Sequence, residues 1–238
     1  IKLAKVSTGR PNVIAFQGGF HGRTAMTMAL TSSKGIYREG YQPLPSGVFF
    51  SSFPNAFRDQ CDPDVAVRTA LADLERLLKT QTMPSETAAM LIEPVLGEGG
   101  YVPTPKGFLQ GLREVCDRTG ILLIVDEIQS GFARSGHMWA HESSEVRPDI
   151  LVMAKGIASG LPMSAIGASG ELMSKWQPGS HGGTYGGGSP LAMAAGLATL
   201  QVIRDEHLIE NASRQGAYLS NRLRDCLSRL PHRTDWHA

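Results

Sequence analysis

The chain has 238 residues, 42% of them hydrophobic and 19% charged, a globular composition long enough for one large domain or one domain and part of another. Its 23 lysines and arginines balance 22 acids, so no bulk field draws nucleic acid or an anionic membrane, and no apolar run approaches spanning length. The cysteines Cys61, Cys116 and Cys226 stand far apart without a C-x-x-C pair, which suggests neither a disulfide framework nor a zinc ribbon. A reducing compartment is expected, the cytoplasm, with an organelle left open because the chain lacks an initial methionine.

In chain order, "IKLAKVSTGRP" puts Ile1, Leu3, Ala4 and Val6 on what reads as the tail of a helix entered midway. Val13 to Phe16 read as a short strand that leads into "QGGFHGRT" and then a helix. Residues 31 to 60, rich in Ser, Gly, Pro and aromatics, are expected to form a long functional loop. Asp62 and Pro63 make an N-cap and first-turn pair for a helix with Val67, Leu71, Leu74, Leu77 and Leu78 on one face. "AAMLIEPVLGEGG" is a buried strand ending in acid and glycine. Thr104 and Pro105 are expected to start the next helix, which turns Phe108, Leu112, Val115 and Cys116 inward and ends at Gly120. "ILLIVDE", "DILVMAKG" and "MSAIGAS" are further strands. From about residue 190 the chain turns helical, through "PLAMAAGLATLQVI" and then a stretch carrying Leu208, Ala212, Leu219 and Leu223.

Strands alternating with helices of this length predict an α/β fold, a mostly parallel sheet with helices on both faces. Ligands of such sheets sit at the carboxyl ends of the strands. The end-of-strand residues are Glu93 and Glu98, then Asp126 and Gln129, then Lys155: several carboxylates and one lysine on one edge. The five apolar residues of "ILLIV" running into Asp126 and Glu127 raise the central question, because a buried carboxylate needs a cation or donors to hold it.

Three chemistries compete for this edge. A phosphate-nucleotide site needs G-x-x-x-x-G-K-[ST] or G-x-G-x-x-G, and neither occurs. No metal is expected: Asp126 and Glu127 are adjacent on a strand and face opposite ways, and His137 and His141, though spaced i, i+4, lack the glutamate of H-E-x-x-H. A Schiff-base site fits better. A lysine ending an apolar strand is expected to be desolvated and nucleophilic. Pyridoxal 5'-phosphate (PLP) requires such a lysine together with an acid that keeps its ring nitrogen protonated. Lys155 and Asp126 supply both, and the pyridinium is the cation Asp126 awaits.

The motifs "FHGRT", "EPVLGEGG", "DEIQSGFARSG", "DILVMAKGIASGLPMSAIGAS" and "GGTYGG" occur in this order. In them the chain resembles the class III aminotransferases of PLP fold type I, the group of the 4-aminobutyrate, acetylornithine and ornithine enzymes, from residue 1 to about 225. The resemblance implies that Lys155 forms the Schiff base and shuttles the substrate proton, and that Asp126 pairs with the pyridine nitrogen. Gln129 would approach the phenolic oxygen, Phe20 would stack on the ring, and His21 would help position it. The plain alternatives are a loop amide, a core aromatic and a packed histidine. Arg23 would clamp a substrate carboxylate with its guanidinium fork. Glu98 would act as a gate that pairs with an arginine of a C-terminal domain, and Glu93 would support the site from behind. Thr184 would reach across a homodimer interface to the neighbour's PLP phosphate.

The same resemblance implies a large domain over 1–203 and, over 204–238, the start of a helical link to a missing small domain. The phosphate-cradling G-[ST/A]-E-A stretch is expected just before residue 1, and "GGTYGGGSPLA" carries one residue more than the family's usual run. The expected function is transfer of an amino group from a 4-aminobutyrate-like ω-amino acid to 2-oxoglutarate. An aminomutase or decarboxylase reaction, or a non-catalytic truncated fragment, are the alternatives.

Overall fold

A computed structural model describes residues 1–183 and 188–229. Helix α1 (Lys2–Thr8) leads to strand β1 (Asn12–Phe16), helix α2 (Ala25–Leu30) and strand β2 (Val48–Ser51). Helix α3 (Pro63–Thr80) and strand β3 (Thr87–Ile92) follow, then a hairpin of β4 (Val95–Leu96) and β5 (Val102–Pro103). Next come helix α4 (Lys106–Thr119), strands β6 (Leu122–Asp126), β7 (Ile150–Met153) and β8 (Ala165–Ala168), and the short helix α5 (Gly170–Met173). Helices α6 (Pro190–Asp205) and α7 (Leu208–Ser228) end the described chain.

Six strands form one sheet in the order β2-β1-β3-β6-β7-β8, parallel except for the β7–β8 pair. Alternation along the strands sorts their side chains into two cores. Ile14, Phe16, Met90, Ile92, Leu123 and Val125 face α3 and α4, where they meet Leu74, Leu77, Phe108 and Leu112. Val13, Ala15, Ala89, Leu91, Ile124 and Ile150 face the other way, against Leu3 and Ala4 of α1. The central strands are therefore buried on both sides, which is why they read as unbroken apolar runs.

The helix boundaries follow local chemistry. The Asp62 carboxylate accepts from the Asp64 N–H at 2.9 Å with Pro63 in the first turn, and Gly120 closes α4 at φ 69°. Three expectations need correcting. The segment 31–60 is not wholly a loop, because Val48–Ser51 pairs in parallel with β1. In α3 the fully buried stripe is Ala66, Ala70, Leu74, Leu77 and Leu78, while Val67 and Leu71 are half-buried at its edge. Thr104 does not cap α4; its hydroxyl donates instead to the Glu93 carbonyl at 2.9 Å, and Pro105 takes the cap position.

Candidate active site

The carboxyl ends of β1, β3, β6 and β7 bring together the residues singled out in the sequence. Asp126 is the last residue of β6 and pairs in register with Val152 of β7, so Lys155, two residues past the end of that neighbouring strand, comes just beyond it. By alternation Asp126 continues the face of Leu122 and Ile124, and Glu93 continues that of Ala89 and Leu91; both carboxylates emerge on the α1 side. Lys155 opens a 3₁₀ turn, Lys155–Ala158, at φ 44°, a left-handed conformation uncommon for a residue with a side chain. It is exposed in this chain. That corrects the expectation of a desolvated amine: the left-handed turn takes Lys155 off the line of β7 before any described element covers it.

Asp126 is buried, and its two oxygens are held from two directions. The Ile128 N–H donates to Oδ1 at 3.1 Å, and His21 Nδ1 lies 2.9 Å from Oδ2. His21 is itself buried, its N–H tied to Thr31 Oγ1 at 2.9 Å. Phe20, His21, Glu93, Asp126, Gln129 and Lys155 line one cavity of about 110 Å³. A larger one of about 530 Å³ shares Gln129 and Lys155 with it and is bordered by Val95, Tyr101, Phe132 and Arg134. Of the expected site residues, seven thus meet at one cavity, Glu98 among them.

Glu98 is paired in a way the sequence did not announce. Tyr37 donates its hydroxyl at 2.7 Å and Lys34 its ammonium at 2.9 Å, both to Oε2, and these bonds hold the Glu98 carboxyl below the usual range. Lys34 and Tyr37 both lie in the segment read as loop, and no spacing marked them. Arg23 is exposed, its guanidinium carbon 4.9 Å from the centre of the Tyr37 ring. Phe20 meets the same ring edge-on at 5.2 Å between centres.

Gln129 stands so close to Gly97 that a β-carbon there would lie 1.5 Å from the amide oxygen. Glycine at 97 is what lets the amide reach both cavities. Glu127 faces away from the cavity, as expected of the residue next to Asp126, yet it is far from idle. It is fully buried and accepts from Ser130 Oγ at 2.5 Å and from the His141 N–H at 2.9 Å, with His141 Nδ1 also 2.9 Å from the same oxygen. His141, once a candidate metal ligand by spacing, is thus committed to a carboxylate. Thr184 lies outside the described residues.

The family profile described as aminotransferase class-III matches residues 1–233. The chain belongs to the class III aminotransferases. It is 41% identical over 231 residues to 5-aminovalerate aminotransferase DavT of Pseudomonas putida, spanning 97% of this chain and 53% of that protein. It is 42% identical over 236 residues to the diaminobutyrate–2-oxoglutarate aminotransferase of Haemophilus influenzae, at 97% and 51%. Among solved structures, an amine transaminase from an uncultivated Pseudomonas species in its PLP-bound form superposes with a TM-score of 0.88 at 33% identity, over 96% of this chain and 55% of that one. The chain spans about half the length of these class III aminotransferases, and the architecture described above is the large-domain portion of PLP fold type I.

PLP is the cofactor of the class III aminotransferases, and the residues present fit it. A primary amine and a buried acid stand at the ends of adjacent strands, an aromatic ring and an imidazole line the space between, and an amide borders it. The acid has fixed nitrogen partners on two sides and still faces the cavity, so its carboxylate is held in place toward a ligand.

Proposed function

We propose that this protein is a PLP-dependent transaminase that moves an amino group from an ω-amino acid, 4-aminobutyrate-like in length, to 2-oxoglutarate. The observation that carries the reading is the convergence of Lys155 and Asp126, from neighbouring strands, on the cavity lined by Phe20 and His21. The names of the relatives support the substrate class: one is a 5-aminovalerate enzyme, and another has 2-oxoglutarate in its name.

PLP, when bound, supplies an electrophilic carbon for the amine and a protonated ring that accepts the electrons of a substrate carbanion. Lys155 Nζ would hold the cofactor and would be the base that carries the proton at the substrate carbon. Asp126 would hold the proton at the cofactor's ring nitrogen, and His21 keeps Asp126 aimed. Phe20 would bear on the ring, and Gln129 would serve its phenolic oxygen. Arg23 takes a substrate carboxylate as a bidentate partner. Glu98 gates an arginine of a C-terminal domain, and Thr184 serves a neighbouring subunit's phosphate. In this reading residues 1–203 form the cofactor domain and 204–238 a helical link, and two copies pair as a homodimer in the cytoplasm. The exposed Leu191 and Leu197 of α6, at 69% and 72%, fit a face that further protein covers. Among the described residues no helix is long and apolar enough to cross a membrane.

Adding PLP to the purified protein should produce the visible absorbance of lysine-bound cofactor, and borohydride should fix it covalently to Lys155. Lys155→Ala should show only free PLP. Bound, non-free absorbance surviving in Lys155→Ala overturns the assignment. An amino-donor panel with 2-oxoglutarate then tests the substrate class: turnover confined to α-amino groups would rule out the ω-amino reading.

A further inference from the structure

Glu93 takes no part in the chemistry just described, yet it is the best-connected residue at the cavity. It follows the last residue of β3, is 5% exposed, and borders the cavity. One carboxylate oxygen accepts the Phe20 N–H at 2.7 Å, and the other accepts the Gly97 N–H at 2.9 Å. Its carbonyl accepts the Thr104 hydroxyl at 2.9 Å. The loop after β1 and both strand ends of the β4–β5 hairpin are thus tied to one side chain and its own backbone.

The contacts close into a ring. From Glu93 the path runs to Phe20, across the edge-on contact to Tyr37, through the Tyr37 hydroxyl to Glu98, back one residue to Gly97, and home to Glu93. Phe20 and Glu98 therefore stand in a relation that neither loop fixes alone. We propose that Glu93 is a positioning residue: by holding the Phe20 and Gly97 amides on its two oxygens, it sets the ring-facing wall of the cavity and the Glu98 side as one unit. The inference rests on reading the cavity as the cofactor site.

The chemistry demands a carboxylate of this length. Two N–H donors converge on the two ends of one planar group, and both ends must accept. Glutamine offers one oxygen and one NH₂, so one backbone N–H would face another donor. Aspartate is one methylene short of the span. Burial pushes the Glu93 carboxyl above its ordinary value, while His21 and the two amides pull it back and Asp126 pushes it up. The site accepts that desolvation in exchange for two anchored loops.

The test is amide exchange in the protein without added cofactor, followed residue by residue. Glu93→Gln should raise exchange at both Phe20 and Gly97 by roughly tenfold or more, because opening either anchor opens the ring. Tyr37→Phe, which touches neither amide, should do the same in direction, and the double variant should add little. Leu91 and Ile124, inside the sheet, should not change. Independent effects, with only one amide released by Glu93→Gln and neither by Tyr37→Phe, overturn the proposal in favour of two unrelated local anchors. PLP titration of the same samples keeps the two readings apart. Wild-type protein that binds PLP through Lys155 while the exchange effects stay independent sinks Glu93 alone. Wild-type protein that binds no PLP sinks the cofactor reading, whatever the amides do. Where both hold, PLP affinity should fall about tenfold in Glu93→Gln, and that loss should not deepen when Tyr37→Phe is added.

Discussion

Asp126 and Glu127 are adjacent carboxylates at the end of one strand, and the protein treats them in opposite ways. Asp126 emerges on the α1 side, where two fixed nitrogen partners hold it and its carboxylate still borders the cavity. Glu127 emerges on the α3 and α4 side, where Ser130 and both nitrogens of His141 that reach it leave it wholly enclosed. A carboxylate offers about four acceptor positions. Filling them with the protein's own donors makes a structural fastener, and leaving some toward a cavity makes a group that awaits a ligand. The backbone of Glu127 adds to its role, since its N–H bonds to Val152 and its carbonyl accepts from Gly131. It thus pins the turn that bears Gln129 and the strand that leads to Lys155.

The contrast breaks most visibly in stability. Glu127→Ala leaves a hydroxyl, a backbone N–H and an imidazole without their acceptor in the interior, a loss of about 3–5 kcal/mol in the urea unfolding free energy. Glu127→Gln should cost only about 1 kcal/mol. Its oxygen still serves His141, and its NH₂ turns to Ser130, whose hydroxyl can accept as well as donate. Equal losses in the two variants would mean that charge, rather than acceptor geometry, holds the fastener.

Asp126→Ala should show the reverse signature. Its unfolding free energy should fall by about 1 kcal/mol, the loss of one Ile128 bond and one His21 bond partly made good by water from the cavity. If the proposed function is right, the single-turnover rate with an amino donor should drop at least roughly a hundredfold, because the cofactor's ring nitrogen would lose the partner assigned to it. An Asp126→Ala protein as unstable as Glu127→Ala would erase the distinction between the two faces.

Gly97→Ala sharpens the same point at smaller scale. The new methyl would lie 1.5 Å from the Gln129 amide oxygen, the far end of a flexible side chain that swings aside at little cost. Unfolding free energy should change by less than about 1 kcal/mol. The kinetic defect should match that of Gln129→Ala, and the double variant should be no worse than either single one. Additive defects would show that Gly97 acts on the cavity by some route other than Gln129.

How much of this was legible in the sequence depended on whether a feature was local. The central strands announced themselves because burial on both faces leaves unbroken apolar runs, and their terminal acids stood out against that background. The Asp62–Pro63 start and the Gly120 stop of the helices are set by neighbouring residues and were read correctly. β2 escaped because "VFFS" is four residues long and sits among glycine, proline and serine, so only its pairing with β1 makes it a strand. Thr104 has the composition of a cap and was taken from that role by Glu93, 11 residues earlier in the chain. The partners of Glu98 stand 61 and 64 residues away, at Tyr37 and Lys34, a distance no local pattern spans.

The smallest effect separates the third carboxylate, Glu93, from the other two. Its carboxyl is raised above the ordinary 4.5, first by burial. A raised acid binds its proton more tightly folded than unfolded, so the folded state has its full stability below pH 4.5 and loses part of it as pH rises toward the folded value. Above that value the loss is complete and the curve is flat again. The slope in this window is at most one proton's worth, about 1.4 kcal/mol per pH unit. Most paired carboxylates act in the opposite sense. Glu98, lowered by Tyr37 and Lys34, favours the fold above its unfolded value and loses that contribution as pH falls. The measurable quantity is therefore the difference between wild type and Glu93→Gln in unfolding free energy as pH climbs from 4.5 upward. The gap should move against the wild type across the window and then stay constant. A gap that moves in the wild type's favour would mean that the Phe20 and Gly97 amides outweigh burial, and that Glu93 is a ready-made anion rather than one held ionised at a cost.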